Sequence, residues 1–292
     1  MAPFDSRLTV DGRTICVREV GDPDGKPVLY FHGTPTSRLD IDLADDIASE
    51  QSVRLVSFDR PACGKSDPAA FSLNSIARDS RGIADQLGIV IFATLGLSGG
   101  GPFALAAATL GDGRVVHVGV ADGVAPYQLA PGSMDDLSDG DRAAAARLPE
   151  DPEGAAQRFG DGFARLREAL LSDEGVGGAA VFGPYLSESD RMLMEDPVIG
   201  THVIASMRES LRPGVEGAGW DNVSWLGHWD VDLSLVGCPV LLWYGQDDRF
   251  LPASHPGWLH DHLADSRLII KPGEGHFGLF EHFAEILAII AA

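Results

Sequence analysis

Ser98 stands in the run Gly96-Leu97-Ser98-Gly99-Gly100, inside a stretch from Val90 to Leu110 that opens as a buried, strand-like apolar segment and continues as an alanine-rich helical one. A G-x-S-x-G run between a strand and a helix forms a sharp turn that holds its central residue in a strained backbone conformation, with Oγ projecting from the end of the sheet. Strand and helix then approach so closely that Cβ atoms two positions either side would clash, which accounts for Gly96 and Gly100. The helix starts just after Ser98, so its free N–H groups and positive dipole end face any oxyanion formed there. Ser98 therefore reads as a nucleophile. The same residues do not match G-x-G-x-x-G, and no lysine follows as in a P-loop, which sets nucleotide binding aside.

A serine nucleophile needs a base, and the base needs an orienting acid; on a sheet of this kind the order along the chain is Ser, then Asp or Glu, then His. His276 lies in the loop Lys271-Pro272-Gly273-Glu274-Gly275 and its continuation, after the last predicted strand, where flanking glycines let the chain turn and present the imidazole. The strand before it, Val240–Tyr244, runs into Gly245-Gln246-Asp247-Asp248, so both Asp247 and Asp248 are candidates for the acid, and spacing alone does not choose between them. A tetrahedral intermediate also needs backbone donors. Gly99 supplies one N–H. The second is assigned to Thr34, in His32-Gly33-Thr34-Pro35 after the strand Val28–Phe31, because Pro35 has no N–H to offer.

The elements that must position these groups alternate. Arg7–Val10 and Arg13–Val20 read as a hairpin turned by Asp11-Gly12. Strands at Val28–Phe31, Val53–Phe58, the Val90 stretch and Val115–Val120 are separated by helices at about Leu39–Glu50, Ser75–Leu87 and after Ser98. After Pro126 the pattern changes. From Tyr127 to Leu235 helix-like segments (Asp139–Arg147, Gly154–Leu171, Asp190–Met194, Val198–Leu211) are broken by glycine and proline, with no strong buried strand. Alternation then resumes with Val240–Tyr244, a helix near Pro256–Leu263, the strand Arg267–Lys271 and a closing helix Phe277–Ile290. The expected fold class is α/β: a mostly parallel central sheet with helices on both faces. Residues 1–126 and 236–292 form the core, and 127–235 form a helical cap inserted after the sixth strand, over the carboxyl ends of the strands where ligands bind in such sheets.

With 292 residues, 45% of them hydrophobic, the chain can bury a large core. Its 43 acidic residues against 22 basic ones leave a net charge of −21, a surface that repels phosphate backbones and anionic lipid. No nucleic acid or membrane partner is expected; the partner is a small-molecule, ester-like substrate, and the chain acts as a monomer or homodimer. Cys16, Cys63 and Cys238 are too few and too scattered for a disulfide framework or a zinc motif. The N-terminus lacks a basic segment followed by an apolar one, so no signal peptide is expected and a reducing cytoplasm fits. His255, His260 and His262 read as solvated helix residues rather than a metal cluster. The tryptophans and methionines of the insertion read as fillers of helix interfaces, and Cys63, with no base of its own, as a structural thiol.

Together the pieces resemble the α/β-hydrolase superfamily: His32-Gly33-Thr34-Pro35, the loop Asp59-Arg60-Pro61-Ala62-Cys63-Gly64-Lys65-Ser66, the elbow at Ser98, Gly245-Gln246-Asp247-Asp248 with Pro252, and Gly275-His276-Phe277. The resemblance covers about residues 7–126 and 236–290. In that family the acid commonly stands three residues after the glycine of G-x-x-D-x-x-x-P, so the resemblance selects Asp248 over Asp247. It implies a catalytic triad of Ser98, Asp248 and His276, an oxyanion hole of Thr34 and Gly99, and a cap at Tyr127–Leu235, with neither a metal nor an organic cofactor. The chain departs from many relatives in carrying Leu97, an apolar residue, before the nucleophile. The implied activity is a serine hydrolase of small or medium carboxylic esters, lactones or thioesters acting through an acyl-enzyme. Amide cleavage, carbon–carbon bond hydrolysis and cyclising acyl transfer use the same triad, and a non-catalytic ligand-binding role is the remaining alternative. Epoxide and halide displacement are disfavoured because those relatives place a carboxylate where Ser98 stands.

Overall fold

The computed structural model describes residues 3–172 and 178–292; residues 1–2 and 173–177, the latter within the expected insertion, lie outside the described residues. Strand β1 (Phe4–Val10) folds back onto β2 (Arg13–Gly21) through Asp11 and Gly12, both at positive φ, the backbone that a two-residue hairpin turn requires. Then follow β3 (Lys26–Phe31), a 3-10 turn at Arg38–Ala44 leading into α1 (Asp45–Glu50), β4 (Val53–Phe58), α2 (Leu73–Gln86), β5 (Phe92–Leu97), α3 (Gly101–Ala108) and β6 (Val115–Ala121). Beyond β6 the described residues are helical up to β7: α4 (Asp139–Ala145), α5 (Pro152–Gly162), α6 (Ala164–Leu171), α7 (Gly178–Phe182), α8 (Glu188–Glu195), α9 (Ile199–Leu211) and α10 (Glu216–Leu226). The chain closes with β7 (Val240–Gly245), α11 (His255–His262), β8 (Ser266–Lys271) and α12 (Leu279–Ile290).

The strands make one eight-stranded sheet in the order β1-β2-β4-β3-β5-β6-β7-β8. Pairing is antiparallel at β1/β2 and β2/β4 and parallel from β4 to β8. The fold is thus the mostly parallel α/β sheet expected from the alternation. Along β3 the side chains alternate between two cores: Leu29 and Phe31 join Val56, Phe58, Ile76, Phe103 and Leu105 on one face, while Val28 and Tyr30 join Ile41, Leu55, Leu95, Phe283 and Leu287 on the other. Both faces being covered, the central strands carry no polar face and read as continuous apolar runs.

Register sets the site. Phe31 of β3 pairs with Gly96 of β5, so the two strands end level and the loop after β3 emerges beside Ser98. The strand order reverses at this β3/β5 boundary, where doubly wound sheets open a crevice at their carboxyl ends. Gly245 of β7 likewise pairs with Lys271 of β8, bringing the Asp248 and His276 loops side by side.

Several local expectations are corrected. Val90 and Ile91, expected in the buried strand, are 71% and 54% exposed, because β5 starts only at Phe92. The helix expected over Gly154–Leu171 breaks at Phe163 into α5 and α6, and the one expected from Leu39 begins as a 3-10 turn. Helix α10 was not anticipated, because Gly217 and Gly219 sit in its first turns and glycine disfavours a helix. The packing explains them. A Cβ on Gly217 would stand 2.9 Å from the carbonyl oxygen of Ala62, and one on Gly219 would collide with that of Ala156 in α5. His255 is fully buried rather than solvated. It accepts the N–H of Ala125, faces Ser133 Oγ across 3.1 Å, and meets the edge of Tyr127; burial pushes its imidazole down to about 4.

Cys16, Cys63 and Cys238 are all free thiols. Among the described residues no helix is long and apolar enough to cross a membrane.

At the β5–α3 junction a Cβ on Gly96 would collide with the Gly100 carbonyl oxygen and stand 2.8 Å from Gly101 Cα, while a Cβ on Gly100 would collide with the Phe31 carbonyl oxygen and stand 2.7 Å from that of His32. Every one of these obstacles is backbone, so neither site has a side chain that can rotate away. Gly100→Ala is therefore expected to destabilise the fold by about 3 kcal/mol or more, read as a lowered urea midpoint with unchanged slope.

Candidate active site

Ser98 lies between β5 and α3 with φ at 54°, the left-handed backbone that a non-glycine residue adopts only under constraint. A 3-10 turn over Ser98–Gly100 leads into α3, whose Pro102 sits in the first turn, where the missing N–H costs nothing. Residues 101–107 of that helix are buried, with Gly101 at the end that meets the sheet.

His276 and Asp248 are joined: Nδ1 of His276 donates to Oδ2 of Asp248 over 2.8 Å. The other carboxylate oxygen, Oδ1, accepts the N–H groups of Phe250 at 2.7 Å and Leu251 at 3.3 Å, which fixes the plane of the carboxylate. Asp247 is exposed and only its backbone is engaged, donating to Glu274 O over 2.8 Å. Of the two candidates, Asp248 is the one that meets His276. Burial lowers the proton affinity of the His276 imidazole, but the Asp248 carboxylate more than offsets it, and the ring ends raised to about 9.

Ser98, His276 and Thr34 line one cavity of about 60 Å³; apart from Thr36, its other lining side chains are apolar, among them Leu97, Phe182, Phe250 and Phe277. With Nδ1 held by Asp248, Nε2 is the ring nitrogen left for Ser98. No hydrogen bond joins Ser98 Oγ to the ring in this resting arrangement; such contacts commonly tighten only once substrate is bound. Larger clefts, one of about 590 Å³ bordered by Leu129, Trp229 and Trp258, hold none of the three groups.

The loop after β3 is tied down from several sides. A Cβ on Gly33 would lie 3.6 Å from Ser98 Cβ, and one on Gly99 would lie 3.4 Å from Thr34 Cβ, so the two assigned N–H donors belong to neighbouring segments beside the nucleophile. His32 is buried. Its Nδ1 donates to Gly33 O over 2.8 Å and its Nε2 accepts the Arg60 N–H over 3.5 Å. Burial, reinforced by the Arg60 charge, holds it well below the ordinary imidazole range, and therefore neutral. Cys63 is buried beneath this loop; burial pushes its thiol well above the usual range, so it is no nucleophile.

Five further residues attend the site, and the sequence assigned a role at the site to none of them. Arg60, after β4, forms a two-bond fork with Asp221 of α10 (2.6 and 2.7 Å), the side chains 1% and 6% exposed, and stacks over Phe103. Asp190, in the first turn of α8, accepts the N–H of Phe277, next to His276, over 2.9 Å. A Cβ on Gly275 would collide with that carboxylate, which is why the histidine loop carries glycine there. Asp122, after β6, is fully buried at φ 44°. Its Oδ1 accepts the Gly245 N–H while its Oδ2 has no partner. Burial and the adjacent Asp248 charge push its carboxyl well above the usual carboxylate range. Trp225, one turn after Asp221, has a buried, unpartnered indole N–H, 3.2 Å from where a Gly99 Cβ would stand. Buried charges without a sequence motif leave no local signature; only the Asp-Arg-Pro run at 59–61 offered a hint.

Removing one partner of a buried ion pair strands the other. Asp221→Ala is expected to cost about 3–5 kcal/mol of stability, whereas Asp247→Ala, at an exposed position, stays within about 0.5 kcal/mol; urea denaturation of both variants checks the contrast.

The family model for the alpha/beta hydrolase fold matches residues 26–283. A curated relative, a non-heme haloperoxidase of Rhodococcus erythropolis, is 24% identical over 277 residues, covering 91% of this chain and 90% of its own. Among solved structures, a bromoperoxidase from Bacillus anthracis superposes with a TM-score of 0.72 at 20% identity, covering 98% of this chain and 99% of that one. An esterase from Exiguobacterium antarcticum superposes with a TM-score of 0.69 at 20% identity, covering 99% of both. With a family match across most of its length and the strand order to go with it, the chain belongs to the alpha/beta hydrolase fold family.

Proposed function

We propose that the protein is a serine hydrolase of carboxylic esters with short acyl groups. The observation that carries the reading is the 2.8 Å bond from His276 to Asp248 at a cavity that Ser98 and Thr34 also line. Ser98 Oγ attacks the carbonyl carbon while His276 Nε2 takes its proton; the ring then gives that proton to the leaving alcohol. Asp248 keeps the ring in the Nδ1–H tautomer and stabilises its cation. The N–H groups of Thr34 and Gly99 hold the oxyanion. Water, activated by the same imidazole, releases the acid and restores Ser98. The esterase among the structural neighbours is in keeping with this chemistry.

The size of the acyl group follows from the cavity. A cavity of about 60 Å³ is small, and the Leu97, Phe182, Phe250 and Phe277 side chains in its wall favour hydrocarbon. Leu97 adds to that wall instead of a polar residue. The helices between β6 and β7 act as a cap, since Phe182 of α7 closes the cavity and Trp225 of α10 packs at its oxyanion side. This cap excludes water and selects for size.

The test is a series of p-nitrophenyl esters with Ser98→Ala as control. Acetate and propionate should be turned over faster than octanoate, and Ser98→Ala should lower kcat by about 10³-fold or more with the fold intact. A variant with near wild-type turnover removes Ser98 from the mechanism. The second expectation concerns pH. The base works only when neutral, and a raised pKa keeps it protonated to higher pH. The kcat/KM of the wild type should therefore rise with pH along a limb centred above the ordinary imidazole value of 6.5. Asp248→Asn removes the charge that stabilises the imidazolium, so its residual activity should show that limb moved to lower pH.

A further inference from the structure

The Gly33–Thr34 peptide carries the N–H assigned to the oxyanion, and its other side is held with unusual redundancy. The Gly33 carbonyl oxygen accepts from His32 Nδ1 at 2.8 Å, from Arg60 Nη2 at 3.2 Å, and from the N–H of Thr36 at 3.2 Å, while the Thr36 hydroxyl donates to Asp40 Oδ2 at 2.6 Å. Arg60 Nη1 also donates to His32 O over 2.8 Å. In a trans peptide the carbonyl and the N–H point in opposite directions across one rigid plane. Donors gathered on the oxygen therefore aim the N–H the other way and strengthen its partial positive charge.

Arg60 holds that oxygen only because its own guanidinium is fixed, and what fixes it is Asp221. The carboxylate takes Nε and Nη2 in a planar fork and with Oδ2 also accepts the Thr34 hydroxyl at 2.8 Å. One side chain of the helical insertion thus reaches both ends of the same peptide plane, through Arg60 on the carbonyl side and directly on the Thr34 side. We propose that Asp221 is a positioning residue for the oxyanion site: seating α10 orients the Thr34 N–H, and the insertion is needed for turnover itself as well as for enclosing substrate. This rests on the serine-hydrolase reading above.

Thr34→Val tests it, because it removes the hydroxyl bound to Asp221 and leaves the ion pair in place. With p-nitrophenyl acetate, kcat should fall about 10-fold while KM stays within about twofold. The affinity of a trifluoromethyl ketone, which forms a tetrahedral adduct with the serine, should weaken by a similar factor, and Thr34→Ser should recover most of the loss. Asp221→Asn, assayed below its own melting temperature, should lose at least as much kcat. A clasp that merely holds the helix in place predicts a lowered melting temperature with kcat and ketone affinity intact. If both variants fold and keep kcat and ketone affinity within twofold of wild type, the proposal is overturned. Fluorophosphonate labelling of wild-type Ser98 separates the two levels: a labelled wild type with indifferent variants removes the role of Asp221 alone, and an unlabelled one removes the hydrolase reading together with it.

Discussion

The molecule depends on how closely the end of β5 and the start of α3 can approach the last carbonyls of β3. Gly96 and Gly100 have no Cβ, and backbone fills the space where one would stand. Two things follow from that single contact. Ser98 is forced into left-handed backbone and lifted clear of the sheet, and the loop that begins at His32 is pressed against the same turn. Backbone packing thus sets Ser98 and the start of the loop after β3 side by side. Asp248 and His276 are brought together separately, by the level ends of β7 and β8, and the sheet holds the two pairs in register.

The insertion meets each pair with a buried carboxylate. Asp221 reaches the loop after β3, and Asp190 reaches the backbone of the histidine loop at Phe277. In a chain with net charge −21 most acidic groups serve solubility, but these two are spent inside, and their oxygens meet N–H or O–H donors. Asp122 differs. One of its oxygens has no partner, and burial beside the charged Asp248 favours its protonated form.

How far the sequence could be read follows from how local each signal is. The elbow was legible because three glycines and a serine encode one steric situation within five residues. The residues alone offered Asp248 only as one of two neighbours, and the resemblance made the choice, since the feature that separates it from Asp247 in the fold is a partner 28 positions away. Arg60 and Asp221 are separated by 161 positions, and nothing about either residue alone marks it as paired. Helix α10 was hidden for a related reason: Gly217 and Gly219 weaken it as an isolated helix, and the contacts with Ala62 and Ala156 that justify them belong to other parts of the chain. His255 misled in the opposite sense. Its neighbours His260 and His262 suggested a wet helix face, yet it points inward to Ala125 and Ser133.

The fork between Arg60 and Asp221 joins a core loop to an inserted helix, and this bears on how such proteins can be recombined. A chimera that takes 127–235 from a relative while keeping the host's loop after β4 would bury one half of the fork without its counterpart. Grafts between members of the fold should therefore move the two segments together, even though the seam then falls at four places in the chain instead of two.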